Sequence, residues 1–290
     1  MAILVMGATG TIGSQVLAAL DPKKVAVRAL TRSPEKANFP AGVTAVQGDP
    51  GDIDSIRAAL DGVSTLFLLG ANVPDELTQV MLTLNAARDA GVKGVVYLSV
   101  FKAADYANLP HFSSKATVER MIEAYDLPVT ILRPAYFIQN DTRLQEALLT
   151  YGIYGMPVGS RGISMVDIRD IGEAAARELM RREAAGNPLP REAYDLVGPD
   201  ALTGEDLAAL WAGVLGRSVV YGGDDLVPFA ARLKAFAPAW YAYDLELMMR
   251  NYQEQGAVAA VDDVARMERL LGHPARTYRD FAEATAASWK

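Results

Sequence analysis

The stretch Ala2–Leu20, AILVMGATGTIGSQVLAAL, leaves the chain around it few choices. Ala2 to Met6 is a short apolar run of the kind that forms a strand buried on both faces. It breaks into glycines and small residues before a helical apolar spacing resumes at Ile12, Val16, Leu17 and Leu20. Asp21-Pro22 then stops the helix. Glycine at 7, 10 and 13 permits positive backbone dihedrals, lets a diphosphate approach the main chain, and lets the helix pack closely on its strand. The first turn of that helix offers free N–H groups to an anion. Strand, glycine turn and helix together point to a bound dinucleotide.

The following sequence repeats the alternation. Val25–Thr31, Val43–Gln47, Thr65–Leu69, Gly94–Ser99 and Pro128–Leu132 read as strands, with helices from the cap Asp52 to Leu60, from Pro74 to Ala90 and from Ser113 to Tyr125. Strands separated by helices imply a parallel sheet covered on both faces, and right-handed crossovers make it doubly wound. Beyond Arg133-Pro134 the pattern loosens. Ile163–Val166 is expected to be a short strand before a helix capped by Asp167, and Ala193–Val197 one last strand. Thr203 and Asp206 form a capping-box variant opening a helix to Leu215, and after Val219–Tyr221 the chain is almost all helical. The expected division is a Rossmann-type domain over 1–150, to which 163–198 returns, and a small, mostly helical substrate-binding lobe over 199–290. Ligand would lie between them at the carboxyl ends of the strands.

With 290 residues the chain can bury a sizeable core. Its net charge of −7 gives no general reason to bind nucleic acid or anionic membrane. The absence of cysteine removes disulfides, thiolate catalysis and thiolate metal sites, and the only histidines, His111 and His273, are far apart, so no metal is expected. No apolar run has the length of a membrane span, and the first predicted strand starts at Ala2 with no room ahead for a targeting segment. The expectation is a cytoplasmic protein acting on a small molecule. A homodimer is compatible with the sequence, which does not settle the oligomeric state.

The end of the second strand selects the dinucleotide. An acidic residue there would hold the ribose hydroxyls of NAD, but the sequence reads Leu30-Thr31-Arg32-Ser33, with Lys36 close behind. A guanidinium suits a phosphate, and a charge-assisted hydrogen bond is worth roughly 1.5–3 kcal/mol, so Arg32 alone would favour NADP over NAD by about ten- to a hundredfold. Asp49, after the third strand, is either an acceptor for an adenine amino group or a plain turn residue between Gly48 and Pro50. Ser99 and Lys115 fall at the carboxyl edge of the sheet. His111 lies four residues before Lys115, on the same face if the helix reaches back that far. It is a candidate general acid or a packing residue. Tyr136 and Phe137 are candidates to stack on a nicotinamide or a flat substrate, or to serve as core. The aromatic and methionine positions at 236, 240, 241, 243, 248, 249 and 252 read mostly as core.

GATGTIG at 7–13, LTRSPEKA at 30–37, Gly48-Asp49, DGVSTLFLL at 61–69, HFSSKATVERMIEAYDLPVTILRPAYF at 111–137 and ISMVDIRDIGEAA at 163–175 resemble the NmrA-like branch of atypical short-chain dehydrogenases/reductases. The resemblance extends over essentially the whole chain. It implies a Rossmann sheet with a small helical lobe. Gly7, Thr9, Gly10, Thr11, Ile12 and Gly13 would cradle the diphosphate, Arg32 and Lys36 the 2′-phosphate of NADP(H), and Lys115 the nicotinamide ribose, with Tyr136 and Phe137 nearby. That family includes NADPH-dependent reductases of quinones, dyes and iminium compounds, and also non-catalytic redox-sensing regulators. The wider superfamily places a catalytic tyrosine four residues before the lysine; here that position is His111, and the nearest upstream tyrosine is Tyr106. Ordinary ketone chemistry, which needs a proton as the alkoxide develops, is therefore disfavoured against reduction of electron-poor acceptors. A redox sensor acting through a partner protein is the alternative reading.

Overall fold

In the computed structural model residues 2–289 are described; Met1 and Lys290, which end the ranges given above, lie outside the described residues. The strands are β1 (Ala2–Val5), β2 (Ala26–Thr31), β3 (Val43–Gln47), β4 (Thr65–Leu68), β5 (Gly94–Leu98), β6 (Val129–Pro134), β7 (Ile153–Tyr154), β8 (Glu192–Leu196) and β9 (Val220–Tyr221). The helices are α1 (Thr11–Ala19), α2 (Ile53–Ala59), α3 (Glu76–Asp89), α4 (Pro110–Ala124), α5 (Ile168–Ala184), α6 (Gly204–Leu215), α7 (Leu226–Lys234), α8 (Ala239–Gln255), α9 (Val261–Leu271) and α10 (Tyr278–Ser288).

Seven strands form one parallel sheet in the order β3-β2-β1-β4-β5-β6-β8, and Ile3 pairs with Val27 on one side and Thr65 on the other. The order reverses between β1 and β4, which opens a crevice at their carboxyl ends. Alternation along β1 explains the two cores: Ile3 and Val5 join the layer with α1 and α5, whereas Leu4 and Met6 join the layer with α3 and α4. Both layers are apolar, so the strand has no polar face and every residue in it is buried. Helix α5 lies along α1, where a Cβ at Gly172 would come 2.6 Å from the Gln15 side chain.

The core on the α1/α5 face continues without a break into the C-terminal helices. Trp211 of α6 stacks on Trp289 at 5.2 Å and donates its indole N–H to the Tyr278 hydroxyl at 3.0 Å. That hydroxyl and the one of Tyr154 both donate to the buried carboxylate of Asp141, at 2.5 and 2.8 Å.

Two expectations need correction. Ile163–Val166 is no strand: Ile163 makes single bridges to Leu202 and Ala257, and Val166 one to Phe137. The segment is bounded by Gly162, at φ +89°, and by the cap Asp167, so it crosses from lobe to sheet with no room for a ladder. Ile153–Tyr154 pairs in parallel with Val220–Tyr221. The fourth helix begins at Pro110 rather than Ser113. Proline is well suited to a first helical turn, because its missing N–H would have no partner there.

Candidate active site

The glycine turn has the shape that its composition foretells. Gly7 sits at φ +62°, and its carbonyl accepts from Gly10 N–H at 2.9 Å. A Cβ at Gly13 would stand 2.1 Å from the same oxygen, so only glycine lets α1 approach β1 this closely. Gly10, as N-cap, supplies no side-chain acceptor, which leaves the first N–H groups of α1 for an anion. Thr9 and Thr11 are exposed beside them, and Ile12 is buried and reaches the cleft described below. These residues fit a diphosphate.

At the end of β2, Ser33 N–H donates to Thr31 Oγ1 at 3.2 Å and opens the short 3₁₀ turn Pro34–Lys36. Arg32 and Lys36 are both exposed there, and neither is ion-paired among the described residues. They fit a ribose phosphate. Asp49 is exposed, accepts from Gly51 N–H at 2.9 Å and is tied through its main chain to Ser55, so it shapes the turn that opens α2.

A cleft of about 500 Å³ lies between the carboxyl ends of β5 and β6 and the helices α7 and α8. The sheet contributes Leu98, Ser99, Pro134, Tyr136 and Phe137, and the lobe contributes Phe229, Leu233, Tyr241, Met248, Met249 and Tyr252. Five of the seven aromatic and methionine positions read as core, at 236, 241, 248, 249 and 252, line this cleft, while Trp240 and Tyr243 do not and are exposed. Helical spacing identifies an apolar face but not whether it meets another side chain or a cavity. Tyr136 and Tyr252 meet edge to face with ring centres 6.3 Å apart, and burial pushes the phenol of each upward, so both stay neutral.

Because α4 begins at Pro110, His111 and Lys115 stand one turn apart on the same face, and both line the cleft. The Nδ1 of His111 lies against the carboxylate of Asp244 on α8, which is buried and also accepts from the His111 main-chain N–H at 3.4 Å. Lys115 Nζ donates to Glu76, a buried carboxylate at the start of α3. Ser99 is on the cleft wall, but its hydroxyl donates to Glu119, which Arg133 grips through Nη2 at 2.6 Å and Nε at 3.1 Å. Tyr106 is buried and donates to the Gly256 carbonyl, so it does not stand in for the tyrosine absent at 111.

The structure thus brings Ile12, Ser99, His111, Lys115, Tyr136 and Phe137 to one cleft, with Arg32, Lys36 and Asp49 at the other end of the crevice, past β2 and β3. Sequence reasoning missed Asp244 and Glu76. Asp244 is embedded in an ordinary amphipathic helix and carries no local signal; Glu76 has only the weak one of an acid in a first helical turn. Asp170, Glu173 and His273 converge as a metal site would, but Arg276 already donates to both carboxylates, so the group is an ion-pair clamp between α5 and the segment before α10.

A model of the NmrA-like family matches residues 1–283. The chain is 31% identical to an NAD(P)H azoreductase of Xenophilus azovorans over 294 residues, covering 99% of each protein. It is also 31% identical to a (4-alkanoyl-5-oxo-2,5-dihydrofuran-3-yl)methyl phosphate reductase of Streptomyces griseus over 292 residues, again with 99% of each covered. The structure superposes on that of an NADPH-dependent quinone oxidoreductase of Escherichia coli complexed with NADPH with a TM-score of 0.84 and 30% identity, over 99% of this chain and 100% of that one.

Proposed function

Because this chain belongs to the NmrA-like family, we propose that it is an NADPH-dependent oxidoreductase that transfers hydride to a flat, electrophilic small molecule of the quinone or azo type. The observation that carries this reading is the aromatic-walled cleft at the carboxyl edge of the sheet, with His111 and Lys115 side by side in it. The relatives support it, since two of those named above are an NAD(P)H azoreductase and an NADPH-dependent quinone oxidoreductase.

The glycine turn and the open N-terminus of α1 hold the diphosphate, and Arg32 with Lys36 hold the 2′-phosphate. Bound NADPH supplies the hydride. Lys115, kept in place by Glu76, is positioned for the nicotinamide ribose, and Tyr136 and Phe137 confine a flat ring against the sheet edge. His111 acts as the proton donor: with Nδ1 on Asp244, its Nε2 is the ring nitrogen left to give a proton to a reduced oxygen or nitrogen. One hydride and one proton together account for the two-electron reduction of a carbonyl oxygen or an azo nitrogen pair. The apolar walls exclude water, so a strong acid is not required for an acceptor that is already electron-poor.

Stopped-flow nicotinamide absorbance against a panel of quinones, azo dyes and imines tests the reading. Oxidation of bound NADPH by one class is expected. If no member of the panel oxidises it, the hydride-transfer reading is lost and a cofactor-binding sensor takes its place.

A further inference from the structure

The side chains lining the cleft carry a charge bias opposite to that of the whole protein. The chain has a net charge of −7 and 35 acidic residues, yet among the described residues no aspartate or glutamate lines the cleft. Four basic residues do: His111, Lys115, Arg143 and Arg232. Two of them are already matched from behind by buried carboxylates, His111 by Asp244 and Lys115 by Glu76. The other two are not. Among the described residues Arg143, after β6, and Arg232, on α7, form no ion pair, and the guanidinium of Arg232 makes only a long hydrogen bond of 3.4 Å to the Gly155 carbonyl. Gly155 itself lines the cleft.

Depth separates these groups. The floor is apolar, with Phe112 and Met249 each 1% exposed, whereas Arg143, Arg232 and Phe236 are exposed at the rim. The charge of Arg143 reaches inward: burial raises the Tyr136 phenol, and Arg143 is among the groups that oppose that rise. A guanidinium at the edge of an apolar slot sheds water readily and offers a planar fork to an oxyanion. Two such groups with no carboxylate between them would repel a cationic ligand and attract an anionic one.

We propose that the natural acceptor is an anionic aromatic electrophile, a flat conjugated ring bearing a sulfonate, carboxylate or phosphate, with the ring in the apolar floor and the anionic group held at the rim by Arg143 and Arg232. The proposal names the substrate class of the reductase reading above and rests on it for the chemistry, but its binding half stands separately.

Two measurements separate the two, a titration of the NADP-saturated protein and turnover of the free enzyme with NADPH. Calorimetric titration compares 2-naphthalenesulfonate with naphthalene-2-methanol, and steady-state NADPH oxidation compares 1,2-naphthoquinone-4-sulfonate with 1,2-naphthoquinone. The sulfonates are expected to be preferred by about tenfold or more, with the preference shrinking as salt is raised. In Arg143→Gln/Arg232→Gln the ratio of anionic to neutral ligand should collapse towards one; both positions are exposed, and an unchanged melting temperature checks the fold. Equal binding of the two ligands, or a preference that survives in the double variant, overturns the anion site. Preferred binding of the sulfonate with no NADPH oxidation by either quinone upholds the anion site and removes the hydride-transfer reading instead. Benzenephosphonate and benzoate, run in the same titration, identify which oxyanion the rim selects.

Discussion

His111 on α4 and Asp244 on α8 meet behind the cleft wall, imidazole Nδ1 against a buried carboxylate. The contact joins the sheet-side helix to the lobe, so the candidate proton donor is oriented by the same helix that roofs the substrate. Replacing His111 by Gln should lower kcat by roughly a hundredfold, since the group that gives the proton is gone. Asp244→Asn should reproduce most of that loss, and the double variant should be no worse than His111→Gln alone. Additive losses in the cycle would mean that the two residues act separately.

Arg32 is exposed at the end of β2 and makes no ion pair among the described residues. Arg32→Ala should weaken NADPH binding by about ten- to a hundredfold and leave NADH binding nearly as it was. Fluorescence titration of both cofactors decides this; equal losses would refute the 2′-phosphate assignment.

Gly13 admits no side chain, because a Cβ would stand 2.1 Å from the Gly7 carbonyl oxygen. In Gly13→Ala, α1 must move off β1. A loss of stability of about 1–3 kcal/mol is expected, together with loss of cofactor binding. Denaturant unfolding with and without NADPH measures both, and a variant of normal stability that still binds NADPH would contradict the cradle.

Burial pushes the Asp141 carboxyl from 3.8 up to about 6, against the hydrogen bonds from Tyr278 and Tyr154 that work the other way. The folded state therefore holds this proton more tightly than the unfolded chain does. Its contribution is fully present below about pH 4 and is lost as pH rises through about 6, a change of up to ~3 kcal/mol. Asp141→Asn cannot titrate, so the stability difference between wild type and variant should change by that amount between about pH 4 and pH 7. A difference independent of pH would mean that Asp141 is ionised throughout.

Much of the framework was legible in the chain. The apolar run of β1, the glycines of the first turn and the Asp52, Asp167 and Thr203 caps all act within a few residues, and each appears where its local chemistry requires. The cofactor end of the site belongs to the same class, since a glycine turn and a strand-end arginine need only their neighbours. Pro110 was an overlooked local signal, and reading it would have put His111 and Lys115 on one helical face without reservation.

The substrate end was decided by the tertiary structure. Asp244 and Glu76 are 133 and 39 residues from the side chains they touch, and nothing in their local sequence marks those partners. Met248, Met249 and Tyr252 follow the spacing of any packed helix; only the placement of α8 over the sheet edge makes them a wall rather than core. Local sequence thus determined strand, turn and cap, because dihedral limits and hydrogen bonding act at short range. The pairing of His111 with Asp244 and the cation-lined cleft arose from packing distant elements together, because burial and charge neutralisation depend on whatever the fold brings into contact.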